Sequence, residues 1–167
     1  MTVDTTVATI SAPCTPADHD AIKALFREYA ESLGFSLAYQ DFDKELADFP
    51  GKYAAPDGAL LLAKVGDEAA GTVALRKLDT GICEMKRLYV KPQFRGRRTS
   101  GGRSIGRALA EDIVAVGRER GYQRLRLDTI TGKMRQALTL YRSMGFIEIP
   151  PYYASPILGT AYLELVL

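Results

Sequence analysis

Cysteine, histidine and long apolar runs are scarce in this chain of 167 residues, and each scarcity removes a class of function. Cys14 and Cys83 are the two cysteines, far apart and without a CxxC partner. They cannot staple a disulfide scaffold, and they read as reduced thiols of a cytoplasmic protein. His19 is the one histidine, so no zinc site can be assembled and no metal is expected. The longest strictly apolar run covers residues 59–63, against the ~20 residues needed to cross a bilayer. The first fourteen residues hold no Lys or Arg, so neither a membrane segment nor an export signal is expected.

What is present describes an ordinary folded domain. The chain is 47% hydrophobic and 25% charged, with no repeat, low-complexity stretch or linker, so residues 1–167 are expected to form a single domain. A chain of this length can bury roughly 70% of its unfolded surface, enough for a core without staples. The net charge of +2 conceals an asymmetry: residues 1–80 carry −6 and residues 81–167 carry +8. Between residues 86 and 107 there are eight Lys and Arg and no acid. Such a run suits a polyanion, either a phosphorylated cofactor or a nucleic acid, although a solvated basic face needs no partner. Single-strand binding would call for aromatics interleaved with the cations, and only Tyr89 and Phe94 occur there, so nucleic acid is not expected.

Periodicity orders the elements. Residues 5–11 read as a strand, and Thr15-Pro16-Ala17-Asp18 as a helix start, with Thr15 as cap and Asp18 at the positive end. Ile22, Leu25, Phe26, Tyr29 and Leu33 trace one helical face. A short helix is expected over residues 42–48, stopped by Pro50-Gly51. Residues 59–65 and 69–76, joined at Gly66-Asp67, predict an antiparallel hairpin, and residues 83–90 a third strand. From Ser104 the period lengthens to near 3.6 through Ile105, Leu109, Ile113 and Val116, ending before Gly121. A strand over residues 124–128, a helix through Met134, Leu138, Tyr141 and Met144 closed by Gly145, and strands over 146–149 and 161–166 complete the order β-α-α-β-β-β-α-β-α-β-β. This pattern predicts a mixed α+β sheet with helices on both faces.

The strongest local feature is the strand end Leu88-Tyr89-Val90-Lys91-Pro92, followed by Arg95-Gly96 and by Ser104-Ile105-Gly106-Arg107-Ala108-Leu109 at a helix start. Free amides and the helix dipole make such a start an anion site, and glycine lets the backbone come close to the ligand. Two known phosphate motifs fail. Residues 101–107 approach P-loop spacing, but Arg107-Ala108 stands where Lys-Ser/Thr is required. A GxGxxG fingerprint would need glycine at position 103, which is Arg. There is no GxSxG, and His19 at a helix start gives little support to a serine-histidine triad.

Residues 86–96, read with Ser104-Ile105-Gly106-Arg107-Ala108-Leu109, resemble the acetyl-CoA-binding motif of the GNAT acyltransferase superfamily, V-x-P-x-x-R-G-x-G-I-G. Leu140-Tyr141-Arg142-Ser143-Met144-Gly145-Phe146 is similar to the family's second cofactor motif, and the element order agrees over nearly the whole chain. The resemblance implies a sheet splayed to admit pantetheine between two central strands. It further implies contacts to acetyl-CoA from Leu88, Tyr89, Val90, Arg95, Gly96, Arg103, Ser104, Ile105, Gly106, Arg107 and Tyr141. Two departures stand out. Residues 98–103 are inserted and Ser104 replaces a central glycine, so either Arg95-Gly96 or Gly101-Gly102-Arg103 could lead the phosphates into the helix. Thr131-Gly132-Lys133-Met134 stands where many members have an asparagine, which implies one cofactor hydrogen bond fewer.

Acetyl transfer from a thioester to an amine needs a neutral amine, a stabilised oxyanion and protonation of the departing thiolate. By the resemblance, backbone groups of Leu88 and Val90 polarise the carbonyl and Tyr141 is the general acid. The alternative for Tyr141 is a core aromatic. Strand alternation puts Glu84, four residues before Leu88, on the same face, which makes it the candidate base; the alternative is an ion pair with Lys86. Tyr53, Tyr152 and Tyr153 are candidates for the acceptor site. The expected activity is direct N-acetylation of a small-molecule or peptide amine, and a homodimer is compatible with it. The alternative is an acyl-CoA-binding module without turnover.

Overall fold

The computed structural model describes residues 7–132 and 134–167. The expected first strand therefore begins with Thr5 and Thr6 outside the described residues, and its described part is β1, Ala8–Ser11. Helix α1, Pro16–Ser32, starts as its sequence dictates: the Thr15 hydroxyl accepts from the Asp18 amide at 3.1 Å, and Asp18 in turn accepts from the Cys14 amide at 2.9 Å. Its buried face is Ile22, Leu25 and Phe26. Helix α2, Phe42–Ala47, follows and buries Phe42 and Glu45.

Strands β2, Ala59–Val65, and β3, Glu68–Asp79, form the expected hairpin, with Gly66 at φ +61° in its two-residue turn. β3 outruns its expected end at residue 76 because β4, Ile82–Val90, continues to pair with it through Lys77↔Cys83 and Asp79↔Ile82. Helix α3, Ile105–Glu119, strand β5, Arg124–Ile130, helix α4, Arg135–Ser143, and strands β6, Ile147–Ile149, and β7, Thr160–Val166, complete the expected order.

All seven strands join one sheet in the order β1-β2-β3-β4-β5-β7-β6, with β4 and β5 the parallel pair. Alternation sends successive side chains to two cores. Leu62, Ala74 and Tyr89 meet Ile22, Leu25 and Phe26 on the α1 face, while Leu61, Leu75, Met85 and Leu127 meet Leu109 and Ile113 on the α3 face.

Two irregularities of β4 place the site. The first is a bulge. Thr72 faces Tyr89 and Ala74 faces Lys86, so Arg87 and Leu88 stand opposite Val73 alone, and Arg87 adopts φ +61°. The bulge reverses the alternation: Cys83 and Met85 lie in the α3-side core, yet Leu88 and Val90 pack there too. Glu84 and Leu88 are consequently on opposite faces, and the expectation of a shared face is corrected by this one extra residue. The second is a splay. The β4–β5 ladder stops at Glu84↔Arg126, although β4 runs six residues further and β5 four.

The inserted residues 98–103 fold back on themselves and onto β1. The Thr99 amide donates to the Arg103 carbonyl and the Gly102 amide to the Thr99 carbonyl, both at 2.9 Å, while the Ala8 amide donates to the Arg98 carbonyl at 2.9 Å.

Candidate active site

A cavity of about 1010 Å³ opens where β4 and β5 part. It reaches from the amino end of α3, past Leu88, Val90 and Tyr141 on the α3–α4 side of the sheet, to Lys86 and Asp128 on the α1–α2 side. The edge of β4 beyond Glu84 that faces β5 carries no ladder, so its backbone groups are open to a ligand threaded between the strands. Gly71, opposite Val90 on β3, permits this course: a Cβ there would stand 2.7 Å from the Tyr89 carbonyl oxygen.

At the mouth, Arg95, Gly96, Ser104, Ile105, Gly106 and Arg107 all line the cavity. Ser104 caps α3 and accepts from the Arg107 amide at 3.4 Å, which leaves the Ile105 and Gly106 amides pointing out of the helix start. Gly101 and Gly102 are not in the lining, so of the two routes open in the sequence, Arg95-Gly96 leads into the helix. Arg103 is turned away. Its guanidinium donates to Glu111 at 3.3 Å and Asp112 at 2.9 Å on α3, and it does not line the cavity, contrary to the expected phosphate contact. Arg107 stays beside the cavity, with one nitrogen 2.8 Å from the Ser143 hydroxyl. This mouth, with free amides, two arginines and a slot leading inward, fits a pyrophosphate and pantetheine.

Tyr141 is buried on α4 and lines the cavity, and among the described residues its hydroxyl has no hydrogen-bond partner. Burial, with smaller contributions from Tyr29 and Asp128, pushes its phenol above the ordinary value, so the hydroxyl keeps its proton at neutral pH. Tyr89 also lines the cavity; its ring belongs to the α1-side core and its hydroxyl donates to Glu28 at 3.3 Å. Gly132 and Met134 also line the cavity; Lys133 lies outside the described residues.

Glu84 is 1% exposed and absent from the lining. Arg76 donates to one of its oxygens at 2.8 Å and Tyr152 to the other at 2.5 Å, with the Lys86 ammonium 4.0 Å away as the sequence alternative anticipated. Burial alone would raise its carboxyl, but Lys86, Arg76 and the Tyr152 hydroxyl outweigh it and hold the group below its ordinary value. Of the three tyrosines named from sequence, Tyr53 is in the core, donating to Glu45 at 2.8 Å, and does not border the cavity. Tyr153 donates to Asp128 at 2.7 Å, and Tyr152 and Tyr153 are held edge-on against Tyr162 with ring centroids 5.2 and 5.3 Å away.

The α1–α2 side of the cavity contains residues that sequence reasoning passed over. Gln40 lies in the short turn Ala38–Gln40, and its side-chain oxygen accepts from Lys86 at 3.1 Å and from Arg87 at 2.7 Å. Arg87 is closed on Glu45 by two bonds of 3.0 and 3.1 Å. The sequence signal for Asp128 was its place at the end of an alternating strand, two residues beyond Arg126. Gln40 had none. The basic run thus divides: Lys86 and Arg87 are 9% and 4% exposed and belong to the interior, not to a polyanion-binding face.

Residues 20–146 match the family described as Acetyltransferase (GNAT) family. The chain belongs to this family. A Schizosaccharomyces pombe protein described as an uncharacterized N-acetyltransferase is 39% identical over 160 residues, covering 93% of each chain. One from Dictyostelium discoideum with the same description is 29% identical and covers 82% of this chain and 88% of its own. Among solved structures, an acetyltransferase from Streptococcus agalactiae superposes with a TM-score of 0.74 at 21% identity, covering 96% of this chain and 98% of its own. The yncA protein of Salmonella typhimurium, solved with its cofactor acetyl-CoA, gives 0.65 at 18% identity, over 96% and 94%. The protein is thus a GNAT acetyltransferase with the GNAT fold. Among the described residues no helix is long and apolar enough to cross a membrane.

Proposed function

We propose that this GNAT enzyme transfers an acetyl group directly from acetyl-CoA to a primary amine. The observation that carries the reading is the parted β4–β5 pair, whose cavity joins an anion-binding helix start to the half-buried Asp128 carboxylate and the buried Lys86 ammonium across the sheet. Acetyl-CoA, when bound, supplies the activated acyl carbon. The Ile105 and Gly106 amides with Arg95 and Arg107 hold its phosphates, and the open edge of β4 at Leu88 and Val90 holds the pantetheine arm and polarises the carbonyl. Tyr141 gives its phenolic proton to the departing sulfur. No cysteine or histidine lines the cavity among the described residues, which supports direct transfer over a covalent relay. Glu84 acts as a positioning residue, fixing Tyr152 and Lys86 from behind, instead of as the base. Free Cys14 and Cys83 support a reducing, cytoplasmic setting.

The test is calorimetric titration with acetyl-CoA, followed by free-thiol release with a panel of amines. Binding with turnover of at least one amine is expected. Binding with no thiol release from any amine would leave a cofactor-binding module and overturn the transfer.

A further inference from the structure

We infer that the acceptor in this transfer is a small zwitterion of the α-amino-acid class, its ammonium seated on Asp128 and its carboxylate on Lys86. This rests on the acetyl-transfer reading above and adds the substrate class.

The register places the two charges. Glu84↔Arg126 is the last rung of the parallel ladder, so Lys86 and Asp128, each two residues further, stand at the same level on either side of the gap. Both point to the α1–α2 face, since the residues between, Met85 and Leu127, lie in the α3-side core. The acetyl donor enters along the opposite side, at α3 and Tyr141. The sheet therefore separates donor from acceptor, and the splay is where they meet.

The charges around this end are mostly closed among themselves. Arg87 is satisfied by Glu45, Arg76 by Glu84, and Arg126 by Glu164 at 2.8 Å. Lys86 shares Glu84 at 4.0 Å and donates to the neutral Gln40. Arg87 and the more exposed Lys52 share Glu45 and Arg76 is closed on Glu84, so among the buried cations of this end Lys86, 4.0 Å from Glu84 and bonded to a neutral amide, is the least closely paired. Asp128 is the complementary negative charge, with one oxygen held by Tyr153 and the other available. Among the described residues Lys86 and Asp128 form no ion pair with each other. Charges taken out of water need partners. A molecule carrying one ammonium and one carboxylate supplies both across the gap, whereas a diamine or polyamine would set a second cation against Lys86, and a simple monoamine would leave Lys86 with only its distant Glu84 and the Gln40 amide.

The chemistry balances without a further reactant. The bound ammonium loses two protons over the cycle. One goes through Asp128 to solvent, freeing the lone pair that forms the N–C bond as the C–S bond breaks. The other is returned through Tyr141 as the thiol leaves. An alkylammonium has a pKa near 10, so only ~1 in 10³ molecules is neutral at pH 7; the Asp128 carboxylate that seats the cation is also the proton acceptor within its reach, and the proton it takes passes on to solvent.

The experiment compares thiol release by the intact enzyme with the proteinogenic α-amino acids, their carboxamides and their decarboxylated amines. At least one amino acid is expected to exceed its own carboxamide and amine by tenfold or more in kcat/KM. In Lys86→Met that ratio should fall toward one, through KM for the amino acid, and Asp128→Asn should lower kcat for every acceptor. Wild-type discrimination needs no variant, so misfolding of either substitution does not remove the test. Carboxamides or simple amines used as well as amino acids would overturn the zwitterion while leaving amine acetylation standing. No turnover with any of the three series, nor with peptides or polyamines, would overturn both.

Discussion

At the scale of single residues, the decisive distinction is between arginines that face the cavity and those spent on the protein itself. Five arginines crowd residues 95–107, and nothing in their spacing separates them. The structure does: Arg103 is neutralised by Glu111 and Asp112 away from the cavity, while Arg107, 3.7 Å from Glu111, lines the cavity mouth. Arg107→Ala is expected to raise the acetyl-CoA Kd by roughly tenfold or more, the scale of one charge-assisted contact of ~1–3 kcal/mol, whereas Arg103→Ala should move it less than about threefold. Calorimetry on the two single variants checks the ranking, and equal effects would refute the division. Tyr141 was identified through the family motif, because its 3.6 spacing from Leu138 is equally that of a core residue. Tyr141→Phe should leave the Tm nearly unchanged and lower kcat by roughly 10². A lost Tm with a normal residual rate would make it a packing residue.

At the scale of elements, order was legible, the ends of β3 and β5 were not, and neither was parity along β4. Eleven helices and strands follow the expected sequence because apolar periodicity reports burial directly. A bulge adds one residue without changing composition, so counting by twos from Leu88 back to Glu84 crosses it unseen and lands on the wrong face. The same bulge turns Arg87 toward α2, where Glu45 closes it inside the α1-side layer. Gly71 beside it has no Cβ because the Tyr89 carbonyl passes too close. Gly71→Ala must push β4 sideways, at a cost of about 1–3 kcal/mol, and narrow the slot. A lower Tm together with weaker acetyl-CoA binding is expected, and a variant with unchanged affinity would show that the slot does not depend on this crossing.

For the molecule as a whole, the charge asymmetry of the sequence takes on a structural meaning. The acidic first half supplies Glu45 and the basic second half Arg87, so the halves are joined by a pair whose side chains are each 3% exposed or less. Sequence could report the imbalance but not that part of it is resolved inside, because pairing across 42 positions is a property of the fold. Burial pushes the Glu45 carboxyl up, yet the Arg87 bonds and charge, the Tyr53 hydroxyl and Lys52 outweigh it, and the group rests below its ordinary value. Glu84 is lowered in the same sense. A carboxyl depressed in the folded state contributes stability that is fully present above its unfolded pKa, near 4.5, and lost as pH falls through the folded value. The Tm should therefore hold from neutrality down to about pH 5 and then fall steeply. Glu45→Gln strands the buried Arg87 guanidinium, so it should cost about 3 kcal/mol or more at pH 7. The variant lacks one of the depressed carboxyls, which also include Glu84 and Glu164, so its Tm should decline less between pH 5 and pH 3 than that of the wild type. Parallel melting curves that lose the same number of degrees over that interval would show that the buried pair does not set the acid limit of the fold.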